Sequence, residues 1–291
     1  MAQQWAGTTY GGEGLHGSLI KALRYIDVRL IYLFAAIFVV PVCIVLNRSR
    51  KTSYYYFRHR LQYGRCKAAW SVYRNHCKFA QIIVDKFAMY AGKRFDVEVE
   101  GLDKFNALAS KAEGFIHLSS HIGNYEIAGY TLVSERKRIN AVVYAHEKAS
   151  VMRNRTSMFD KTNIQMIAMR EDMSHLYEID NELTVGNIVS FPTDRYAGAT
   201  KCIEEEFLGA KAKFPQGPFS VATMRGLDVL AVNVMKEGLK RYRIFVTPLP
   251  YDKEAPRREQ IRQLAKGYVA ELEKRVREYS TQWFNFYDFW N

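Results

Sequence analysis

The sequence predicts an α/β domain, a layered sheet flanked by helices, preceded by an N-terminal membrane-associated helix. Three observations predict it. Short apolar, β-branched runs alternate with stretches of helical periodicity from about residue 97 onward. Residues 30–46, LIYLFAAIFVVPVCIVL, form an apolar run at the short end of what crosses a bilayer. A long amphipathic pattern, APRREQIRQLAKGYVAELEKRVREY, closes the chain.

The chain has 291 residues, 48% of them hydrophobic, which supplies a substantial core and excludes wholesale disorder. The spacing divides it into an N-terminal segment, 1–50, and a main domain, 51–291. Within the first, 30–46 is the anchor, with Arg24 and Arg29 before it and Arg48, Arg50 and Lys51 after it. The run starts too late for a secretory signal and no A-x-A-like site follows. Pro41 is expected to kink or break the helix. A single span, a helix pair dipping into one leaflet, and a buried core helix all remain open at this point.

Net charge is +12, and residues 48–94 carry a dozen Lys/Arg with one acid, Asp85. That stretch is also aromatic: Tyr54, Tyr55, Tyr56, Phe57, Tyr63, Trp70 and Tyr73. Basic and aromatic residues beside an apolar anchor fit an anionic membrane surface. Stacking on single-stranded nucleic acid uses similar residues, but the adjacent anchor argues against a nucleic-acid partner. Cys43, Cys66, Cys77 and Cys202 show no CxxC or zinc-ligand spacing and read as free thiols, so no metal is expected.

Further along, 52–92 reads as one or two helices interrupted at Gly64 and Gly92, and VEVE from 97 as a strand. KFNALASKAEG reads as a short helix ended by Gly114. FIHLSS (115–120) is a buried strand, followed by a turn and a helix to about 134. Strands are expected at 139–146, 187–194, 227–235 and 241–249, with a polar helix at 171–184. The last helix has its apolar stripe at Ile261, Leu264, Tyr268, Leu272, Val276 and Tyr279. The aromatic tail FNFYDFWN is expected to pack on the domain or touch lipid.

The chemistry concentrates in LSSHIGNYEIAG, 118–129. Residues five apart on one helix point about 140° away from each other. His121 and Glu126 therefore meet only if His121 lies in the loop and Glu126 in the first helical turn. Gly123 permits the sharp turn and Asn124 is a good N-cap. A carboxylate on one imidazole nitrogen would leave the other as a general base. Ser119 and Ser120 lack a nucleophile elbow, so the activated hydroxyl is expected on a substrate.

HIGNYE matches H-x-G-N-[WY]-E, a form of the HX4(D/E) motif, and resembles the late acyltransferases of lipid A biosynthesis. IAMREDM, IVSFPTDRYAG, EFLGAKAKFPQGPFSVATMRG and STQWFNF resemble further blocks of that family in the same order. The resemblance runs from about residue 20 to about 285. It implies a glycerolipid acyltransferase-like fold and direct acyl transfer from a thioester to a hydroxyl. His121 would be the base and Glu126 would orient it. Arg170, Asp194, Arg195, Gly217 and Asn124 are the expected substrate-binding residues, with Asp194 positioning either His121 or the acceptor. The implied donor is acyl carrier protein or acyl-CoA, with no cofactor. The implied acceptor is a lipid A precursor at the bacterial inner membrane, with the domain facing the cytoplasm. Arg195 stands where the family usually has Gln or His, and the tail reads FYDFW after QW where a basic pair is expected. These departures leave open an aminolipid or lysolipid acceptor. A non-catalytic lipid-binding protein is the remaining alternative.

Overall fold

The computed structural model describes residues 13–47, 49–144, 163–196 and 201–290. Arg48, the end of the 139–146 strand and the loop just after Tyr196 lie outside the described residues. The N-terminal region is helical. α1 (Glu13–Tyr25) precedes α2 (Val28–Phe34), which continues through a π-helical turn (Ala35–Val39) into α3 (Val40–Leu46). Pro41 sits where the π turn passes into α3, and the wider turn before it accommodates the ring within a continuous helix. The helix therefore continues past the expected break. α4 (Ser49–Tyr55), a second π turn (Tyr56–Arg60) and the long α5 (Arg65–Tyr90) follow.

The domain holds a seven-stranded sheet. Its members are β1 (Asp96–Glu100), β2 (Phe115–Ser119), β3 (Ile139–Tyr144), β4 (Ile164–Met169), β5 (Ile188–Pro192), β8 (Val229–Lys236) and β9 (Arg241–Pro248). The order is β1-β9-β8-β2-β5-β3-β4. Every pairing is parallel except β8 with β9, a hairpin turned at 237–240. A two-stranded antiparallel ribbon, β6 (Cys202–Phe207) and β7 (Ala210–Pro215), stands apart.

Helices cover both faces, as buried parallel strands require. α8 (His175–Thr184), α9 (Gly217–Met224) and α10 (Arg257–Glu278) pack on one face, against Ile116, Leu118, Val189 and Ala231. α6 (Leu102–Ala109), α7 (Tyr125–Thr131) and α5 cover the other, against Phe115, Ile188, Leu230 and Val232. The expected α10 stripe is buried from Ile261 through Val276. α6 stops at Ala109, short of Gly114. The tail packs on the domain: Trp283, Phe289 and Trp290 cluster on Phe207 of the ribbon.

Candidate active site

β2 and β5 run parallel with Ser119 opposite Pro192, and Thr193 extends the ladder by donating to the Ser119 carbonyl. Two residues beyond each paired end stand His121 and Asp194. The register alone makes them neighbours at the carboxyl edge of the sheet, where open α/β sheets place their ligand sites. Asp194 Oδ1 lies 2.7 Å from His121 Nδ1, and Oδ2 accepts the His121 backbone N–H at 2.9 Å. One carboxylate thus fixes both the ring and the backbone that carries it. The Asp194 side chain is 2% exposed and that of His121 16%. Burial acts to raise the Asp194 carboxyl, but the charge and hydrogen bonds of His121, with Arg195 nearby, hold it below the usual carboxylate range. With Asp194 ionised, Nδ1 carries the proton and Nε2 is the acceptor.

The ring is therefore oriented at Nδ1 by Asp194, a residue expected to position either His121 or the acceptor. Glu126 does sit in the first turn of α7, where the helix dipole favours an anion. Its carboxylate is buried: Lys86 Nζ lies 2.7 Å from Oε1, and Tyr90 donates to Oε2 at 3.2 Å. Both partners come from α5, so Glu126 ties α7 to the helix that carries the N-terminal region.

The loop between His121 and α7 is clamped. Gly123 has φ +60°, and a Cβ there would sit 1.8 Å from the Val234 carbonyl oxygen. Only glycine fits. Asn124 N–H donates to that same carbonyl, and Gly123 N–H donates to the Gln282 carbonyl. The Gln282 side chain in turn bridges both backbone groups of Lys236, at 2.8 and 2.9 Å. The QW element thus acts as a brace between β8 and the histidine loop, a role that spacing along the chain does not reveal.

Asn124 occupies the N-cap position of α7 without capping it. Its side chain is buried and turns back toward the Tyr242 hydroxyl, 3.5 Å away. From there it supports the loop from behind. Arg195 lies at the site's rim, where Nη2 donates to the Phe284 carbonyl and the guanidinium lies 6.0 Å from the Tyr287 ring centre. Tyr125 meets the His121 ring edge-on at 5.7 Å.

One expected residue lies well away from His121. Arg170 follows β4, three strands from β2, or about 14 Å across the sheet. Its guanidinium is held by Glu178 at 2.5 Å and Ser174 at 3.1 Å. Gly217 opens α9 beside Gln216, which shares a groove with Pro256 and Arg257 at the start of α10. The nearest serines are also engaged: Ser120 Oγ donates to Asn233 Oδ1 at 2.8 Å, and Ser119 Oγ to the Phe191 carbonyl at 3.3 Å.

A second polar cluster lies behind the loop. Asp85 of α5 and Lys236 of β8 form an ion pair at 2.5 Å with both side chains fully buried. The hydroxyls of Tyr32 and Tyr242 also donate to Asp85. Burial pushes the Asp85 carboxyl up and the Lys236 ammonium down, each toward its neutral form. The attraction between them opposes both shifts. The lone acid of the basic stretch is thus the charge that Lys236 requires.

No curated protein matches the chain. Among solved structures, the crystal structure of the 1-acyl-sn-glycerophosphate (LPA) acyltransferase, PlsC, from Thermotoga maritima is similar at 17% identity. It covers 94% of this chain and 100% of its own, with a TM-score of 0.40. The family model described as bacterial lipid A biosynthesis acyltransferase matches residues 79–291, a span that holds His121, Glu126, Asp194 and the Gln282 brace. The chain belongs to that family, and it is an acyltransferase that acts on lipids.

Proposed function

We propose that the protein transfers a fatty acyl chain from an acyl thioester directly to a hydroxyl of a lipid A precursor, with His121 as general base. The observation that carries this is the pairing of His121 Nδ1 with Asp194 at the carboxyl edge of the sheet. Nε2 takes the proton of the attacking hydroxyl as its oxygen bonds to the thioester carbonyl carbon. The tetrahedral intermediate then collapses, the C–S bond breaks, and the imidazolium returns the proton to the departing sulfur. Asp194 keeps the ring in the accepting tautomer and stabilises the imidazolium. Glu126, bound to Lys86 and Tyr90, holds the first turn of α7 in place beneath the loop.

The donor is acyl carrier protein, a small acidic partner suited to a chain of charge +12. Acyl-CoA is the alternative anionic donor. The setting is the bacterial inner membrane, with the domain on the cytoplasmic side where acyl thioesters are made. Membranes carrying the protein should move a labelled acyl group from acyl carrier protein to a lipid acceptor. His121→Ala should reduce that transfer to background at unchanged expression, and undiminished transfer would sink the mechanism.

One observation favours a second acceptor. The two departures from the family pattern touch each other, since Arg195 bonds the Phe284 carbonyl and faces Tyr287 of the FYDFW tail. A rim altered as a unit fits an altered acceptor headgroup, such as an aminolipid or another lysolipid. Lipid mass spectrometry of cells with and without the protein separates the two readings. Lipid A gains one acyl chain under the first and is unchanged under the second.

A further inference from the structure

Val28–Leu46 is 19 residues long and apolar, long enough by itself to cross a bilayer, and most of it is not buried against the protein. Its attachments decide how it meets lipid. At the start, Lys240 Nζ pairs with Asp27 at 3.0 Å, Lys93 Nζ donates to the Ile26 carbonyl at 2.9 Å, and Tyr32 reaches Asp85. In the middle, Tyr73 donates to the Ala36 carbonyl at 3.1 Å. Just beyond the end, Ser49 Oγ lies 3.3 Å from His76 Nε2, and Arg50 donates back to the Ile44 and Val45 carbonyls. Both ends of the helix are therefore tied to the same body.

That body cannot enter the hydrocarbon. α2, the π turn and α3 all pack on α5, which carries Arg65, Lys67, Arg74, Lys78 and Lys86. Each cation at a bilayer centre costs about 2.5–3.5 kcal/mol even on the most lenient scale. α5 is itself fixed to the catalytic domain, because Asn75 donates to the Thr281 and Trp283 carbonyls on either side of the Gln282 brace. A spanning pose would draw α5 and the histidine loop into lipid with it.

We infer that Val28–Leu46 lies in the plane of one anionic leaflet, with both ends on the side of the catalytic domain. This rests on the reading of the protein as membrane-bound. The inward residues Val28, Tyr32, Ala35 and Val40 recur at helical spacing and face α5. The outward face presents Leu33, Ile37, Phe38, Val42 and Val45, each more than half exposed. Exposed Arg24, Arg29, Arg50 and Lys51 flank it, which suits anionic headgroups. Such a face sinks roughly 5–10 Å into the headgroup and acyl boundary.

The test uses the full chain without its native cysteines, in sealed vesicles of phosphatidylethanolamine with and without phosphatidylglycerol. Tyr25→Cys, Asn47→Cys and Lys211→Cys are labelled singly with a membrane-impermeant maleimide. The in-plane arrangement makes all three label to the same fraction without detergent. Complementary fractions at Tyr25→Cys and Asn47→Cys would mean a span and overturn it. A nitroxide at Ile37→Cys should become more accessible to oxygen than to a nickel chelate on adding anionic vesicles. If it is equally shielded without vesicles in a sedimenting dimer, the face belongs to a second copy and the inference fails. Acyl transfer measured on the same vesicles reports on the catalytic reading independently of either outcome.

Discussion

The molecule pairs a carboxylate with a basic nitrogen in two neighbouring places, and the two pairs serve opposite ends. Asp85 and Lys236 have no exposed side-chain surface, and two tyrosine hydroxyls complete the shell of Asp85. Asp194 is nearly as buried as Asp85, but its histidine partner is 16% exposed. The first pair is closed on every side and holds α5, β8, β9 and α2 together. The second is closed on the carboxylate side, and in contrast its histidine ring is partly exposed, which makes it the open pair. Burial of one partner supplies orientation, and partial exposure of the other suits the base role proposed for it. Lys236 also supplies the backbone groups on which Gln282 is braced, so the closed pair underlies the loop of the open one.

The largest expected effect breaks the open pair. Asp194→Asn keeps the shape but lets the ring adopt the wrong tautomer, and should lower the acyl-transfer rate by about 10²- to 10⁴-fold. The melting temperature should change far less than the rate. A variant that unfolds in proportion to its lost activity would show that Asp194 is structural, like Asp85. The sign of the pH effect follows from the depressed carboxyl. Its stabilising contribution is complete above the ordinary carboxylate range and is lost only as pH falls through its lower folded value.

Breaking the closed pair should show in stability first. Asp85→Ala leaves a buried, unpaired ammonium and should cost about 3–5 kcal/mol, read by chemical denaturation. Asp85→Leu combined with Lys236→Met should recover much of that loss, because an apolar pair of similar volume removes the unpaired charge. If the double variant is stable yet inactive, the closed pair contributes to the loop beyond holding the fold.

One more titratable side chain sharpens the contrast. His117 of β2 is buried, its Nε2 has no hydrogen bond among the described residues, and burial lowers it to about 4. Between the ordinary value of about 6.5 and that lower value, the unfolded chain binds a proton and the folded chain does not. Stability should therefore fall as pH drops through this window, by about 3 kcal/mol in all. His117→Leu should flatten that slope in denaturation curves recorded from neutral to acid pH. An unchanged slope would place the acid sensitivity elsewhere.

How much of this was legible along the chain follows from the range of each interaction. The β2–loop–α7 boundary and the α10 stripe rest on local periodicity and one glycine turn, and both stand where the residues put them. Asp194's bond to His121 spans 73 positions and exists only because β2 pairs with β5 in one register. Nothing local encodes that register, so the nearer carboxylate, Glu126, was the natural candidate. The β6–β7 ribbon was hidden for another reason. Its turn places Leu208 and Gly209 at φ 52° and 74°, a conformation usually signalled by Asn-Gly. A subtler signal was present: Glu204 faces Lys213 and Glu206 faces Lys211 across the ribbon. Strand β4, IQMIAM, carries no clean apolar/polar alternation, since only Gln165 interrupts an otherwise apolar run too short to tell strand from helix.

The smallest expected effect tests whether proximity to the open pair is what confers function on a charged residue. Arg170 resembles a family arginine by sequence, yet its guanidinium is about half exposed and paired with Glu178 at the sheet's far edge. Exposed pairs of this kind contribute about 0–1 kcal/mol, screened by salt. Arg170→Ala should therefore leave the acyl-transfer rate within about 3-fold of the unaltered protein and shift stability by less than about 1 kcal/mol. Arg195→Ala, at the rim and beside Asp194, should raise KM for the acceptor more than it lowers kcat. If Arg170→Ala proves the more damaging of the two, the acceptor reaches across β5 and β3 to the sheet edge. The site would then be an elongated surface running along the carboxyl ends of the strands, with His121 at one end.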